Sequence, residues 1–164
     1  MTPVAPGTPI AAIEQMPLAV AMRHELWLYP AVEIAHISGI AVLVGSIVMF
    51  DVRLLGLSPS LPVRALARHL LPWTLGALIV IVPTGLLMFV AHASDFLVNP
   101  AFQLKFALIL LAGVNAAAFH AGVFRGAANW DSDAATPAAA KLHAAASLGL
   151  WISVIACGRL LAYL

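Results

Sequence analysis

The chain has 164 residues, 63% of them hydrophobic and only 9% charged, with a formal net charge of +1 and a mean hydropathy of +1.01. Soluble domains carry about one quarter charged residues, so this composition describes one integral membrane domain over residues 1–164, and its near-neutral charge excludes a nucleic-acid binder. The single cysteine, Cys157, excludes an internal disulfide, and the absence of a phosphate loop, a dinucleotide motif, a Ser-His-Asp set or C-x-x-C-H removes nucleotide enzymes, hydrolases and c-type haem.

In chain order, "MTPVAPGTPIAAIEQMPLAVAMRHELW" (1–27) comes first. Its first basic residue is Arg23 and prolines interrupt its apolar stretch, so it does not read as a signal peptide. Residues Ile10 to Glu25 predict a short helix lying on the membrane surface, with Trp27 and Tyr29 at the interface. Four apolar stretches then follow at about 28–57, 63–92, 101–125 and 138–163, each near the ~20 residues that a span requires. Proline and small polar residues separate them at "LSPSLP", "HASDFLVNP" and "GAANWDSDAATP". Links this short make consecutive helices antiparallel neighbours, which predicts an all-α, up-down four-helix bundle.

Let side A carry both termini and the 92–100 link, and side B the other two links. Arg53, Arg64, Arg68, Arg125 and Lys141 fall towards side B, against Arg23, Lys105 and Arg159 towards side A. The excess predicts a cytoplasmic side B in a bacterial inner membrane, with both termini periplasmic.

Three histidines share a depth. His69, His120 and His143 lie five or six residues from side B on three different helices, so roughly 8–9 Å below one surface. Small neighbours, Gly113 and Ala116 beside His120 and Gly76 beyond His69, suit a porphyrin. The set points to axial ligation of a b-type haem, to a metal ion, or to structural histidines in tight helix packing. For a haem, His120 is the first ligand, with His69 or His143 as its partner.

"YPAVEIAHISGI" raises a second question. Glu33, His36, Ile40, Leu43, Ile47 and Asp51 share one face of the first span, and such a stripe belongs in the bundle interior. By depth Glu33 reaches Arg159 or Lys105, and Asp51 reaches Arg53, Arg64, Arg68 or Arg125. Read structurally, these are ion pairs that fix helix register. Read functionally, Glu33, His36, Lys105 and Arg159 line a pocket open to side A for a quinone-type head group, a proton path or a metal. Pro83 in "VIVPTGLL" kinks the second span and, with Gly85, leaves room opposite.

The runs "WLYPAVEIAHISGIAVLVGSIVMFDVRLLGL", "LLPW", "NPAFQLKFALILLAGVNAAAFH" and "CGRLLAYL" resemble an uncharacterised family of small bacterial four-helix membrane proteins. The resemblance covers nearly the whole chain and includes Glu33, His36, Lys105, His120 and Arg159. It implies topology and no activity. By size and by histidines in a helical bundle, the chain is more loosely similar to the cytochrome b561 and copper-resistance-D membrane proteins. That likeness implies haem-mediated electron transfer or copper handling.

Three functions follow from the residues. The first is a membrane redox protein that holds b-type haem and passes electrons between the quinone pool and a periplasmic partner. The second is a component that transports a metal such as copper, or a small solute. The third is a non-catalytic membrane anchor for a soluble partner. The oligomeric state is open in all three.

Overall fold

A computed structural model describes residues 8–161 and 163. The described residues are entirely helical: α1 (Pro9–Glu14), α2 (Pro17–His24), α3 (Leu28–Leu55), α4 (Val63–Ala91), α5 (Ala93–Val98), α6 (Pro100–Ala121), a 3-10 segment Val123–Asn129, and α7 (Ala138–Leu160). Among them, α3, α4, α6 and α7 are the four that are long and apolar enough to cross a membrane. The shortest, at 22 residues, is ~33 Å long, enough for a hydrocarbon core of about 30 Å.

Local chemistry sets the helix ends. Gly56 closes α3 with φ +113, the left-handed conformation that costs glycine nothing, and its N–H bonds the Arg53 carbonyl. Val63, the first residue of α4, donates to the Asp131 carbonyl at 2.9 Å, and Arg64 N–H donates to the Asp131 side chain at 2.7 Å. Asp131, from a distant loop, thus supplies the N-terminal cap that Pro62 cannot. Asn99 caps α6 through its own side chain, bonding Ala101 N and Phe102 N, with Pro100 in the first turn. The third span stops at Ala121, short of the predicted 125, because Gly122 turns the backbone to φ −109, ψ −95. The predicted interfacial helix is two helices, broken before Pro17, whose ring sits at the N1 position of α2. Residues 1–7 of the segment read as interfacial lie outside the described residues.

The four long helices pack in the order α4–α3–α7–α6. Gly39 lets α3 and α4 approach closely: a Cβ there would meet Ile81 Cγ1 at 2.8 Å. The bundle is not closed by backbone contact on its fourth side, since no Cα of α4 comes within 8 Å of one in α6. The two meet instead through rings, with Phe89 and Phe102 stacked at 5.7 Å and Phe96 against both. Most large apolar side chains of α4 and α6 face outward, Trp73 among them at 59% exposure, as suits helices surrounded by lipid.

The buried core sits at the side-B end. Leu54, Val63, Phe119, Ala127, Trp130, Ala140 and Ala144 form it, with Phe50 and Phe124 packed alongside. Arg53, 2% exposed, holds that end together. Its guanidinium donates to the carbonyls of Leu61 (2.7 Å), Pro59 (2.9 Å) and Asp131 (3.1 Å), tying the link after α3 to the loop before α7.

Candidate functional site

The inward stripe of α3 is real for most of its length. Leu43 and Asp51 are buried and His36, Ile40 and Ile47 half-buried, whereas Glu33, nearest side A, is exposed. No ion pair forms on the stripe. Among the described residues the one pairing within 4.0 Å is His92 with Asp95, on the side-A link. Asp51, 5% exposed, faces Ser147 of α7, and its Oδ2 has no hydrogen-bond partner. It cannot meet Arg53 because residues two apart on a helix point to different sides, and Arg64, Arg68 and Arg125 are turned outward. The predicted meeting of Glu33 with Arg159 is likewise not made. Arg159 instead donates to the Tyr163 hydroxyl at 2.6 Å and lies over its ring at 4.9 Å, a local i,i+4 contact that needs no second helix.

His36 and Lys105 remain, on α3 and α6, two helices with no Cα pair within 8 Å, and no hydrogen bond joins the two side chains. The charges of Lys105 and Glu33 both act on the His36 imidazole. His36 Nδ1 lies 2.9 Å from Thr84 Oγ1 on α4. That hydroxyl sits 2.6 Å from the Val80 carbonyl and 3.1 Å from the Ile81 carbonyl. A hydroxyl has a single hydrogen, and here it goes to the helix backbone, so Nδ1–H donates to Thr84, and in the neutral ring it is Nε2 that carries the lone pair. Gly85 makes room for the ring, since a Cβ there would stand 3.1 Å from His36 Cε1. Lys105 Nζ rests against Gly158 of α7, beside the buried Cys157. No carboxylate pairs with it among the described residues.

The side-B histidines behave differently. His69 and His120 are exposed, and only His143 is half-buried. Among the described residues no three His, Cys, Asp or Glu side chains are grouped to hold a metal ion, so His69, His120 and His143 do not converge. Equal depth is not equal direction: His69 is on α4, and α4 does not approach α6, which carries His120. His120 and His143 both pack edge-on to Phe119, at 5.3 and 5.9 Å.

His143 has a held ring. Asn115 Nδ2 donates to the His143 carbonyl at 3.0 Å, which turns Asn115 Oδ1 to the ring, 2.8 Å from Nδ1. The amide oxygen only accepts, so Nδ1 carries a hydrogen, and in the neutral ring Nε2 is the nitrogen with the lone pair. Histidines that ligate metals commonly have the other ring nitrogen held this way, so the donor chemistry of His143 fits a haem iron or another metal. Two of the orienting residues, Thr84 and Asn115, escape a sequence reading centred on charges. Each is a polar residue inside an apolar span, which is the signal that finds them.

Among the described residues, four helices long and apolar enough to cross a membrane, joined by short links, give the pattern of a multi-pass membrane protein. Residues 29–164 match the model of a family of unknown function, DUF6644, and the chain belongs to that family. No curated protein and no solved structure matches it.

Proposed function

We propose that this chain is a membrane redox protein that engages a quinone-type head group at His36 and Lys105 and passes electrons on to a partner at side A, the periplasmic face. The observation that carries the reading is the His36 imidazole held at Nδ1 by Thr84 2.9 Å away on α4, in a bundle whose half-buried Lys105 pairs with no carboxylate among the described residues. A quinol needs a base for its hydroxyl proton, which Nε2 is. Charge developing on its oxygen needs a cation in a low-dielectric setting, which Lys105 supplies. A b-type haem would serve as a one-electron acceptor; His143 is the residue that would hold it, with His120 on the far side of Phe119 as the second candidate.

Binding of a short-chain ubiquinone analogue to protein in lipid nanodiscs tests the site. His36→Ala and Lys105→Met should each weaken it about tenfold or more, the loss of a charged or charge-assisted hydrogen bond. Unchanged affinity in both folded variants would refute the site. The absorption spectrum tests the haem: a Soret band lost in His143→Ala supports it, and no band in protein made with haem supplied removes it. The transport reading draws on the same unpaired Lys105, which suits an anionic solute better than a copper ion. Uptake into vesicles that fails in Lys105→Met, without any quinone effect, would favour it.

A further inference from the structure

We propose that Tyr29, Glu33 and His36 form a proton-transfer column that connects the water-facing groove on side A with the His36–Lys105 pair inside the bundle. The inference deepens the reading of that pair as a quinone site and rests on it for its purpose, though its test does not.

The three residues stand at i, i+4 and i+7 of α3 and so share one face. Their Cα positions rise by ~6 Å and then ~4.5 Å along the axis. Glu33 stands one turn from each of the other two on that face, with Tyr29 on one side and His36 on the other. The outer end opens into a groove lined by Arg23, His24, Glu25, Tyr29 and His92, with the His92 ring edge-on to Tyr29 at 5.9 Å. The inner end is the Nε2 lone pair of His36.

Glu33 itself has neither a hydrogen-bond nor an ion-pair partner among the described residues. A carboxylate bound to a guanidinium gives up and takes protons poorly; an unbound one exchanges them readily. The groups around the column are Arg23, His24 and Glu25 from the N-terminal hairpin, His92 and Asp95 from the α4–α5 corner, and Lys105 from α6. Arg159 of α7 is held on Tyr163. In the transfer, the Nε2 proton of a protonated His36 passes to the Glu33 carboxylate, the resulting acid releases it to groove water beside Tyr29, and Nε2 recovers its lone pair. One proton moves and no electrons do.

The test uses the full chain oriented in lipid vesicles, with histidine labelled so that imidazole infrared bands report protonation. The His36 band is assigned by its loss in His36→Gln. After a pH jump applied to side A alone, the wild-type His36 band should respond at once, and after a jump on side B it should lag. Glu33→Gln should slow the side-A response roughly a hundredfold, the low end of what a positioned acid–base group contributes. Glu33→Asp should restore most of the rate, and Lys141→Gln at side B should leave it unchanged. A Glu33→Gln protein that is folded by circular dichroism yet responds at the wild-type rate would overturn the column. If that variant does not fold, a wild-type His36 that follows side B rather than side A overturns it instead. Loss of quinone binding leaves this readout untouched, so the two proposals fail separately.

Discussion

Arg53 shows what one side chain does in this fold. It is a fully buried cation that meets three backbone carbonyls and no carboxylate, and its Nη1 has no partner among the described residues. Hydrogen bonds from a charged donor contribute about 1.5–3 kcal/mol each, and truncation would leave three carbonyls without their donor. Arg53→Ala should therefore cost about 3 kcal/mol or more in detergent unfolding, with Arg53→Lys recovering less than half, because an ammonium cannot span the same fork. A loss under about 1 kcal/mol would show that the side-B loops hold without it. The sequence places Arg53 at a helix end near side B, and that much is correct. Its partners are not legible there, since Asp131 lies 78 positions away. The same holds for His36 with Thr84 and His143 with Asn115: the donor is visible in the sequence, the acceptor is chosen by which helices touch.

At the scale of elements, the N-terminal hairpin is latched to the α4–α5 corner. Glu14 accepts from the Ser94 backbone N–H and hydroxyl, both at 2.7 Å, which caps the first turn of α5, while Arg23 reaches the Ala91 carbonyl at 2.9 Å. The backbone bond from Ser94, then its hydroxyl, hold the Glu14 carboxyl below its ordinary range, with the Arg23 and His92 charges adding to the effect. A depressed folded-state value means that the latch contributes stability above the ordinary glutamate range and loses it as pH falls through the folded value. Hydrogen-exchange protection at Ser94 and along α1, taken relative to the intrinsic rate at each pH, should consequently fall in acid in the wild type. In Glu14→Gln that protection should already be low at neutral pH and independent of pH; a steep acid loss of protection in that variant would place the switch elsewhere. The number of long helices was readable from hydropathy, and their starts fall within a residue of expectation, with Pro62, Pro100 and Pro137 marking three of the four. The early end of α6 was not, since only the backbone angles at Gly122 show that it turns instead of continuing.

For the whole molecule, an even number of membrane-length helices puts both described ends on one face, and the excess of Arg and Lys at side B predicts that this face is the outward one. A C-terminal reporter that works only in the cytoplasm should be silent, and one that works only in the periplasm should be active; the reverse pattern refutes the orientation. In lateral order, short links do bring successive antiparallel helices α3 and α4 together, and α6 and α7, but α4 and α6 meet only through phenylalanine rings. The 92–100 link contains the helix α5, whose Phe96 packs beside the stacked Phe89 and Phe102 and makes a three-ring contact with them.

Composition and hydropathy alone determined that this chain is helical with four membrane-length segments, because in hydrocarbon every backbone polar group must be satisfied within its own segment, a constraint that acts on each stretch locally. Periodicity alone put Leu43 and Asp51 on the inward face of α3. Depth along a helix was countable from the sequence; rotation about its axis and the identity of its neighbour were not. Those two quantities decided that His69, His120 and His143 form no three-residue group among the described residues while His36 meets Thr84 of α4. They also left Glu33 without the partner its depth implied. Helix rotation depends on contacts such as Gly39 against Ile81, made between residues far apart in the chain, so only the packed structure holds that information.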